Sequence, residues 1–100
     1  MTLLIDGSDY SSLRFAIQGE KLIEKIYVVD PHKSFETLLK LDEFLKKQKI
    51  NLKDIKKVVV NKGPGSFTGV RVSVSHALAL GLALGIPVRA ISKTAFDKLF

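Results

Sequence analysis

The 100-residue chain reads as one α/β domain on a mixed five-stranded sheet, with elements in the order β-β-β-α-β-α-β-α. Three observations predict this. Three strand-like runs come first, separated only by turn residues. Strand and helix patterns alternate afterwards, so the opening meander should be antiparallel and the later pairs parallel across helical crossovers. The composition, 46% hydrophobic and 26% charged, is that of an ordinary globular chain with room for a single core.

The elements follow in order. Residues 2–6 (TLLID) form a short apolar run ending in an acid, suited to a central strand. Gly7, Ser8, Asp9, Ser11 and Ser12 make a turn cluster. Leu13, Phe15 and Ile17 alternate with Arg14, Ala16 and Gln18, the period-two pattern of a half-buried strand. Gly19-Glu20 reads as a hairpin turn into a third strand over 21–29, rich in β-branched and aromatic residues. Pro31 ends it, because proline offers no ladder donor.

Ser34 is the expected N-cap of a helix from Phe35 to about Gln48. Its apolar residues Phe35, Leu38, Leu39, Leu41, Phe44 and Leu45 span an arc of roughly 220°, about twice what one sheet contact needs. The excess predicts a second apolar contact or, in so small a domain, cover by a loop. A polar connection over 51–57 leads to a buried strand, Val58 to Val60. The glycine-rich loop 61–66 follows, then a long helix from Phe67 or Thr68 to Leu84, capped by Ser66 and stopped by Gly85 and Pro87. Residues 87–91 (PVRAI) make a last short strand, and Ser92 caps a final helix running to Phe100.

Composition excludes several classes. Without cysteine there is no disulfide and no thiolate zinc site, which agrees with a reducing compartment. The strongest apolar run, Ala77 to Val88, is shorter than a bilayer span and is interrupted by Gly81, Gly85 and Pro87. No basic segment precedes the first strand, so no signal peptide is expected. These features predict a cytoplasmic protein without membrane attachment.

The net charge of +6 is concentrated. Lys46, Lys47, Lys49, Lys53, Lys56, Lys57 and Lys62 face the single acid Asp54 within one segment, and charges elsewhere cancel. A solvated lysine surface is one reading and a patch for RNA phosphates the other. No aromatic side chain is interleaved with the lysines to provide a stacking platform, which favours the first.

The stretch 62–71 (KGPGSFTGVR) joins a buried strand to a helix N-terminus, where unpaired N–H groups and the helix dipole favour an anion. Gly63 and Gly65 permit close approach of a phosphate, and Lys62 and Arg71 add charge. The spacing matches neither common cradle. The Walker loop places its lysine after the last glycine, whereas Lys62 precedes them. The dinucleotide fingerprint is G-x-G-x-x-G, whereas Gly63, Gly65 and Gly69 give G-x-G-x-x-x-G. A tight strand-to-helix turn that needs its glycines explains the same residues. Asp6 with Gly7 and Ser8 is a second candidate phosphate or magnesium-nucleotide turn, although a lone Asp at a strand end is usually a turn residue.

Other chemistry is sparse. His32 and His76 are the only histidines and neither has a partner at metal-ligand spacing; Asp30 is the nearest carboxylate. Ser8, Ser66 and Ser73 have no identifiable base, so no catalytic residue is expected.

The motif Lys-Gly-Pro-Gly-Ser-Phe-Thr-Gly-Val-Arg-Val at 62–72, the Ala- and Leu-rich helix after it and Leu-Gly-Ile-Pro-Val at 84–88 resemble the signature of the TsaB (YeaZ) family. The opening Leu3-Leu4-Ile5-Asp6-Gly7-Ser8 is similar to that family's first strand and turn, and Asn51 to Ile55 also match. The resemblance spans essentially the whole chain. It implies the actin-like, ribonuclease-H-like fold shared with the paralogous catalytic subunit TsaD. It also implies a non-catalytic role in installing threonylcarbamoyladenosine beside the tRNA anticodon. Implied partners are a TsaD-like subunit, a TsaE-like ATPase and, in isolation, a second copy; tRNA would be met indirectly through the complex. The lack of His-x-x-x-His agrees with the absence of TsaD's metal-binding histidines. The chain departs from the pattern in three ways. It corresponds to the family's N-terminal domain alone, Gly7 replaces the usual Thr, and Leu78-Ala79 stands where Lys-Gly is common. No intrinsic cofactor is expected, and ATP or ADP would sit at a partner interface. The residues assigned to nucleotide or phosphate contact are Asp6, Gly7, Ser8, Lys62, Gly63, Gly65 and Ser66.

The long helix carries the expected interface. At 100° per residue, Val70, Val74, Ala77, Gly81 and Leu84 fall on one side, the expected sheet-facing stripe. The opposite side holds Val72, Ala79 and Ala83, flanked by Arg71, Ser75, His76 and Leu82. It is small, partly apolar and free of acids, so a partner helix can approach it. With Leu41 and Phe44 of the first helix, it predicts a four-helix contact with a TsaD-like subunit or a second copy. Two alternatives remain: the nucleotide-binding half of an actin-like ATPase or kinase, and direct tRNA binding by the lysine segment.

Overall fold

A computed structural model of the chain describes residues 1–30, 33 and 35–100. The strands are β1 (Thr2–Asp6), β2 (Ser12–Gln18), β3 (Leu22–Val28), β4 (Lys57–Asn61) and β5 (Val88–Ile91). The helices are α1 (Phe35–Lys47), α2 (Phe67–Leu84) and α3 (Lys93–Asp97). The expected element order holds, with one 3-10 turn, Leu52–Asp54, added before β4. Asn51 caps that turn reciprocally with Asp54: the Lys53 N–H donates to the Asn51 side chain, and the Asn51 N–H donates to Asp54 Oδ2. The last helix is shorter than expected and stops at Asp97. Expectations for Pro31, His32 and Ser34 fall outside the described residues.

The sheet order is β3-β2-β1-β4-β5. β1 pairs antiparallel with β2 in the register Ile5↔Phe15, and β2 with β3 in the register Leu13↔Tyr27. β1 pairs parallel with β4 (Ile5↔Val60), and β4 with β5 (Val60↔Ala90). The opening meander is therefore antiparallel and the crossover pairs parallel, as the order of patterns requires.

Strand alternation divides the core. On the side covered by α1 and α2, Leu3, Ile5, Phe15, Ile17, Val58 and Val60 pack with Leu41, Phe44, Leu45 and Ala77. Phe15 sits between rings, 6.0 Å from Phe44 and 6.2 Å from Tyr27. Each such buried side chain stabilises the fold by about 1.5–3 kcal/mol. The other side is thinner. There Leu4, Ala16 and Val59 are covered by Phe96 of α3, with Ile91, Leu99 and Phe100 around them. The Arg14 guanidinium lies 3.5 Å from the Phe100 ring centroid and 2.9 Å from Glu24, closing the rim of this second layer.

Two expectations about helix faces need correction. Leu41 and Phe44, assigned to the partner surface, are 6% and 0% exposed and belong to the main core. The outer apolar edge of α1 is Phe35, Leu38 and Leu39 instead. The stripe of α2 that meets the sheet is centred on Ser73, Ala77 and Gly81; Val70, Val74 and Leu84 lie at its margins, half-buried. Small residues win the central positions because the helix lies close to the sheet, Ser73 against Gly7 after β1 and Gly81 against β5. A Cβ at Gly81 would overlap the Val88 side chain.

Candidate functional site

Two regions gather the residues singled out by sequence: the outward face of α2, and the turns around the glycine loop.

α2 starts where Ser66 accepts a hydrogen bond from the Gly69 N–H at 3.2 Å, and ends on Gly85 in the left-handed conformation (φ 66°). Between these caps it carries no acid and one strong base, Arg71. Arg71, Ser75, Ala79, Leu82 and Ala83 are exposed, and Val72 and His76 half-buried. The structure thus brings all seven α2 residues of the expected interface to the side away from the buried stripe. Leu82 is 87% exposed, Phe67 73% and Leu78 54%. Phe67 and Leu78 belong to the same apolar surface and extend it beyond the sequence-based selection. The Arg71 guanidinium lies 5.0 Å from the Phe67 ring centroid. Around this pair, with Thr68, Ser75 and His76, runs an open hollow of about 370 Å³. Burial holds the His76 imidazole below its ordinary pKa of 6.5, and its Nδ1 has no hydrogen-bond partner among the described residues. A second cleft, about 590 Å³, is lined by Leu38, Leu41 and Leu45 of α1, the connection 49–52 and Leu80 of α2.

The glycine loop has a different organisation. Asp6 Oδ1 accepts hydrogen bonds from the Ser8 N–H (2.9 Å), the Ser8 hydroxyl (2.6 Å) and the Asn61 side-chain amide (3.1 Å). Asn61 is fully buried, and its Oδ1 accepts the Gly63 N–H at 2.8 Å. The Ser66 N–H donates to the Ser8 carbonyl at 2.7 Å, and the Lys93 N–H to the Gly63 carbonyl at 2.9 Å. The glycines let these chains touch. A Cβ at Gly65 would stand 2.6 Å from the Ser8 carbonyl oxygen. One at Gly7 would stand 2.6 Å from the Gly69 carbonyl oxygen and overlap the Ser73 hydroxyl. Gly63 has φ 94°, which needs glycine.

Asp6, Gly7, Ser8, Gly63, Gly65 and Ser66 are therefore brought together, but as an internal lock between the β1–β2 turn and the β4–α2 loop. The N–H groups of Gly63, Ser66, Gly69 and Val70 all donate within the chain. The tight-turn reading accounts for the glycines, and Lys62 stays exposed on the loop. Asn61, the centre of the lock, was missed by sequence reasoning. Its one signal was a polar residue ending an all-valine strand directly before Lys-Gly-Pro-Gly. Among the described residues, no cluster of His, Asp and Glu is placed to hold a metal ion.

Comparison with known proteins decides the family. A family model described as TsaD, tRNA N6-adenosine threonylcarbamoyltransferase, matches residues 32–96. The tRNA threonylcarbamoyladenosine biosynthesis protein TsaB of Buchnera aphidicola subsp. Schizaphis graminum is 41% identical over 95 residues, covering 90% of this chain and 43% of its own.

The chain belongs to the TsaB (YeaZ) family.

TsaB of Bacillus subtilis is 37% identical over 95 residues, covering 92% of this chain and 41% of its own. The solved structure of YeaZ from Pseudomonas aeruginosa superposes with a TM-score of 0.80 at 26% identity, over 91% of this chain and 43% of that one. The chain thus spans less than half the length of these TsaB relatives. The shared architecture is the actin-like, ribonuclease-H-like fold expected for a TsaB domain. By length and composition α2 could cross a membrane. In this domain it lies on the sheet through Ser73, Ala77 and Gly81, and it carries Arg71 and His76 on its other sides.

Proposed function

We propose that this chain is a non-catalytic partner domain in the tRNA threonylcarbamoyladenosine pathway, docking on a TsaD-like catalytic subunit through the outer faces of α1 and α2. One observation carries the reading: a long helix in a TsaB-family domain exposes Phe67, Leu78, Ala79, Leu82 and Ala83 with no acidic residue among them. Exposed apolar helix surface of this kind marks a protein interface. Ala79 and Ala83 let a second helix approach, while Phe67 and Leu82 supply large side chains that a partner can cover. In isolation a second copy would cover the same face. A TsaE-like ATPase would join the complex formed with TsaD, and tRNA would reach the catalytic subunit there. These roles place the protein in the cytoplasm.

Co-purification tests the reading. The chain and the TsaD-like protein of the same organism should elute together at micromolar concentration. Two folded proteins that elute separately would overturn it.

The second reading is a nucleotide-binding half of an actin-like ATPase, or ATP or ADP shared at the partner interface. Asp6 and the glycine loop motivate it. The engagement of the Gly63, Ser66, Gly69 and Val70 N–H groups within the chain weighs against the isolated chain as the binder. Calorimetric titration with magnesium-ATP separates the two: tight binding by the chain alone would favour the nucleotide reading.

A further inference from the structure

The sequence leaves the lysine segment open, and the fold gives it a place. Lys46, Lys47 and Lys49 stand at the C-terminal end of α1, Lys53 in the 3-10 turn, and Lys56 and Lys57 at the entry to β4. All six come to the end of the sheet where β1 begins. The Lys56 N–H donates to the Met1 carbonyl at 2.9 Å, the terminal amino group donates to the Asp54 carbonyl at 3.2 Å, and Lys57 pairs in register with Thr2. Five of the six lysines are exposed, and Lys57 is half-buried. Of these six, only Lys46 has an ion-pair partner among the described residues, Asp42 at 2.9 Å. The one acid within the segment, Asp54, is engaged in capping the 3-10 turn.

The ordinary account of such lysines is incomplete here. Helix-dipole compensation explains Lys46 and Lys47 in the last turn of α1. It says nothing of Lys53, Lys56 and Lys57, which follow the helix on a turn and a strand. Lys49 adopts φ 56°, a left-handed conformation in which glycine is the least strained residue.

We propose that this basic end is a binding surface for the phosphate backbone of RNA, contacting tRNA directly while α2 engages the protein partner. The recognition would be by charge. The neighbouring cleft is walled by aliphatic residues, Leu41, Leu45, Ile50 and Leu52 among them, and offers no ring on which a base could stack. Binding should therefore follow phosphate and ignore sequence. RNA is preferred over an acidic protein because the family acts on tRNA, and this preference is the only part that rests on the proposed function.

The test uses the chain alone, so its result is independent of whether a TsaD-like subunit binds. Fluorescence anisotropy with unfractionated bacterial tRNA should show binding at low salt. With four to six phosphates neutralised, log K should fall against log[KCl] with a slope of about −3 to −5. The variant K47Q/K49Q/K53Q/K56Q should bind at least tenfold more weakly at low salt, with a slope flatter by roughly 3. The variant K25Q/K33Q/K93Q/K98Q loses the same net charge elsewhere and should keep most of the affinity. Circular dichroism checks that both are folded. Equal losses in the two variants would overturn the proposal in favour of net charge alone, and no binding by the intact chain would overturn it outright. Polyglutamate binding as tightly as tRNA, with the same loss in the first variant, would reassign the surface to acidic proteins.

Discussion

The side-chain amide of Asn61 donates to the carboxylate of Asp6 at 3.1 Å, and its carbonyl oxygen accepts the Gly63 N–H at 2.8 Å. One buried residue thereby ties the end of β1 to the loop that launches α2. The position of the exposed helix face depends on this tie, because Ser66 and Gly69 follow within the same interlocked segment.

Asn61→Leu removes these bonds, and a longer one from the amide to the Ser8 hydroxyl (3.3 Å), at similar volume. Each buried polar group left unmatched costs roughly 1–3 kcal/mol, so the variant should lose on the order of 3 kcal/mol of stability in urea unfolding. A loss below about 0.5 kcal/mol would mean that the amide is not a structural tie.

Asn61→Asp gives a pH signature instead. Two carboxylates at this distance favour sharing a proton, which raises one folded-state pKa. The folded variant then holds more protons than the unfolded chain, so its stability relative to wild type should fall as pH rises from 4 towards 7. Thermal melts across that range check the sign.

Gly7→Ala should destabilise by about 1–3 kcal/mol, the usual range for overpacking, because the new methyl group meets both the Ser73 hydroxyl and the Gly69 carbonyl. Adding Ser73→Gly removes the first obstacle and should recover part of the loss, leaving the backbone contact. Full additivity of the two substitutions, measured by urea midpoints, would show that Gly7 and Ser73 are not in contact.

His76 supplies a prediction near neutral pH. Burial depresses its folded-state pKa below 6.5, so below that pH the unfolded chain binds more protons than the folded one. Stability should therefore decline as pH falls from 7 through 6, and His76→Gln should remove that part of the decline. Parallel profiles for wild type and variant would refute the assignment.

Ala79→Glu separates three roles for the α2 face. An exposed face would tolerate glutamate, a good helix former, and a helix buried inside the domain would unfold. Ala79 is exposed in the monomer, so the variant should fold. In a covered interface the unpaired carboxylate should weaken association by roughly 3–5 kcal/mol. Size-exclusion chromatography with circular dichroism reads both effects. A folded variant that still associates would remove Ala79 from the contact.

Much of the architecture is legible in the residues. Val58 to Val60 can only be a buried strand, and Ser66 with Gly85 and Pro87 marks both ends of α2. The wide arc of α1 correctly announces apolar surface beyond one contact, but an arc does not say which edge meets the sheet. Leu41 and Phe44 face Phe15 and its neighbours, leaving Phe35, Leu38 and Leu39 outside. α2 posed the same difficulty, since leucine, valine and alanine surround its axis, and the choice of stripe comes from close packing that the sequence does not display: Gly81 against Val88 and Ser73 against Gly7. The glycine loop was ambiguous for a related reason. A phosphate cradle and a backbone interlock both require glycine, and the interlock's other half, Gly7 and Ser8, lies far away in the chain.

The parallel pairing of β1 with β4 also orders events in time. The meander β1–β2–β3 can pair as soon as its own residues are made, but the second neighbour of β1 is β4, whose register joins Thr2 to Lys57 and Ile5 to Val60. Until that strand arrives, Leu3 and Ile5 lie against an open edge, and closure of so long a loop is a slow step in folding. In N-to-C synthesis the meander would therefore emerge first with the β1 edge unpaired, and that edge is covered only when the valine strand follows it.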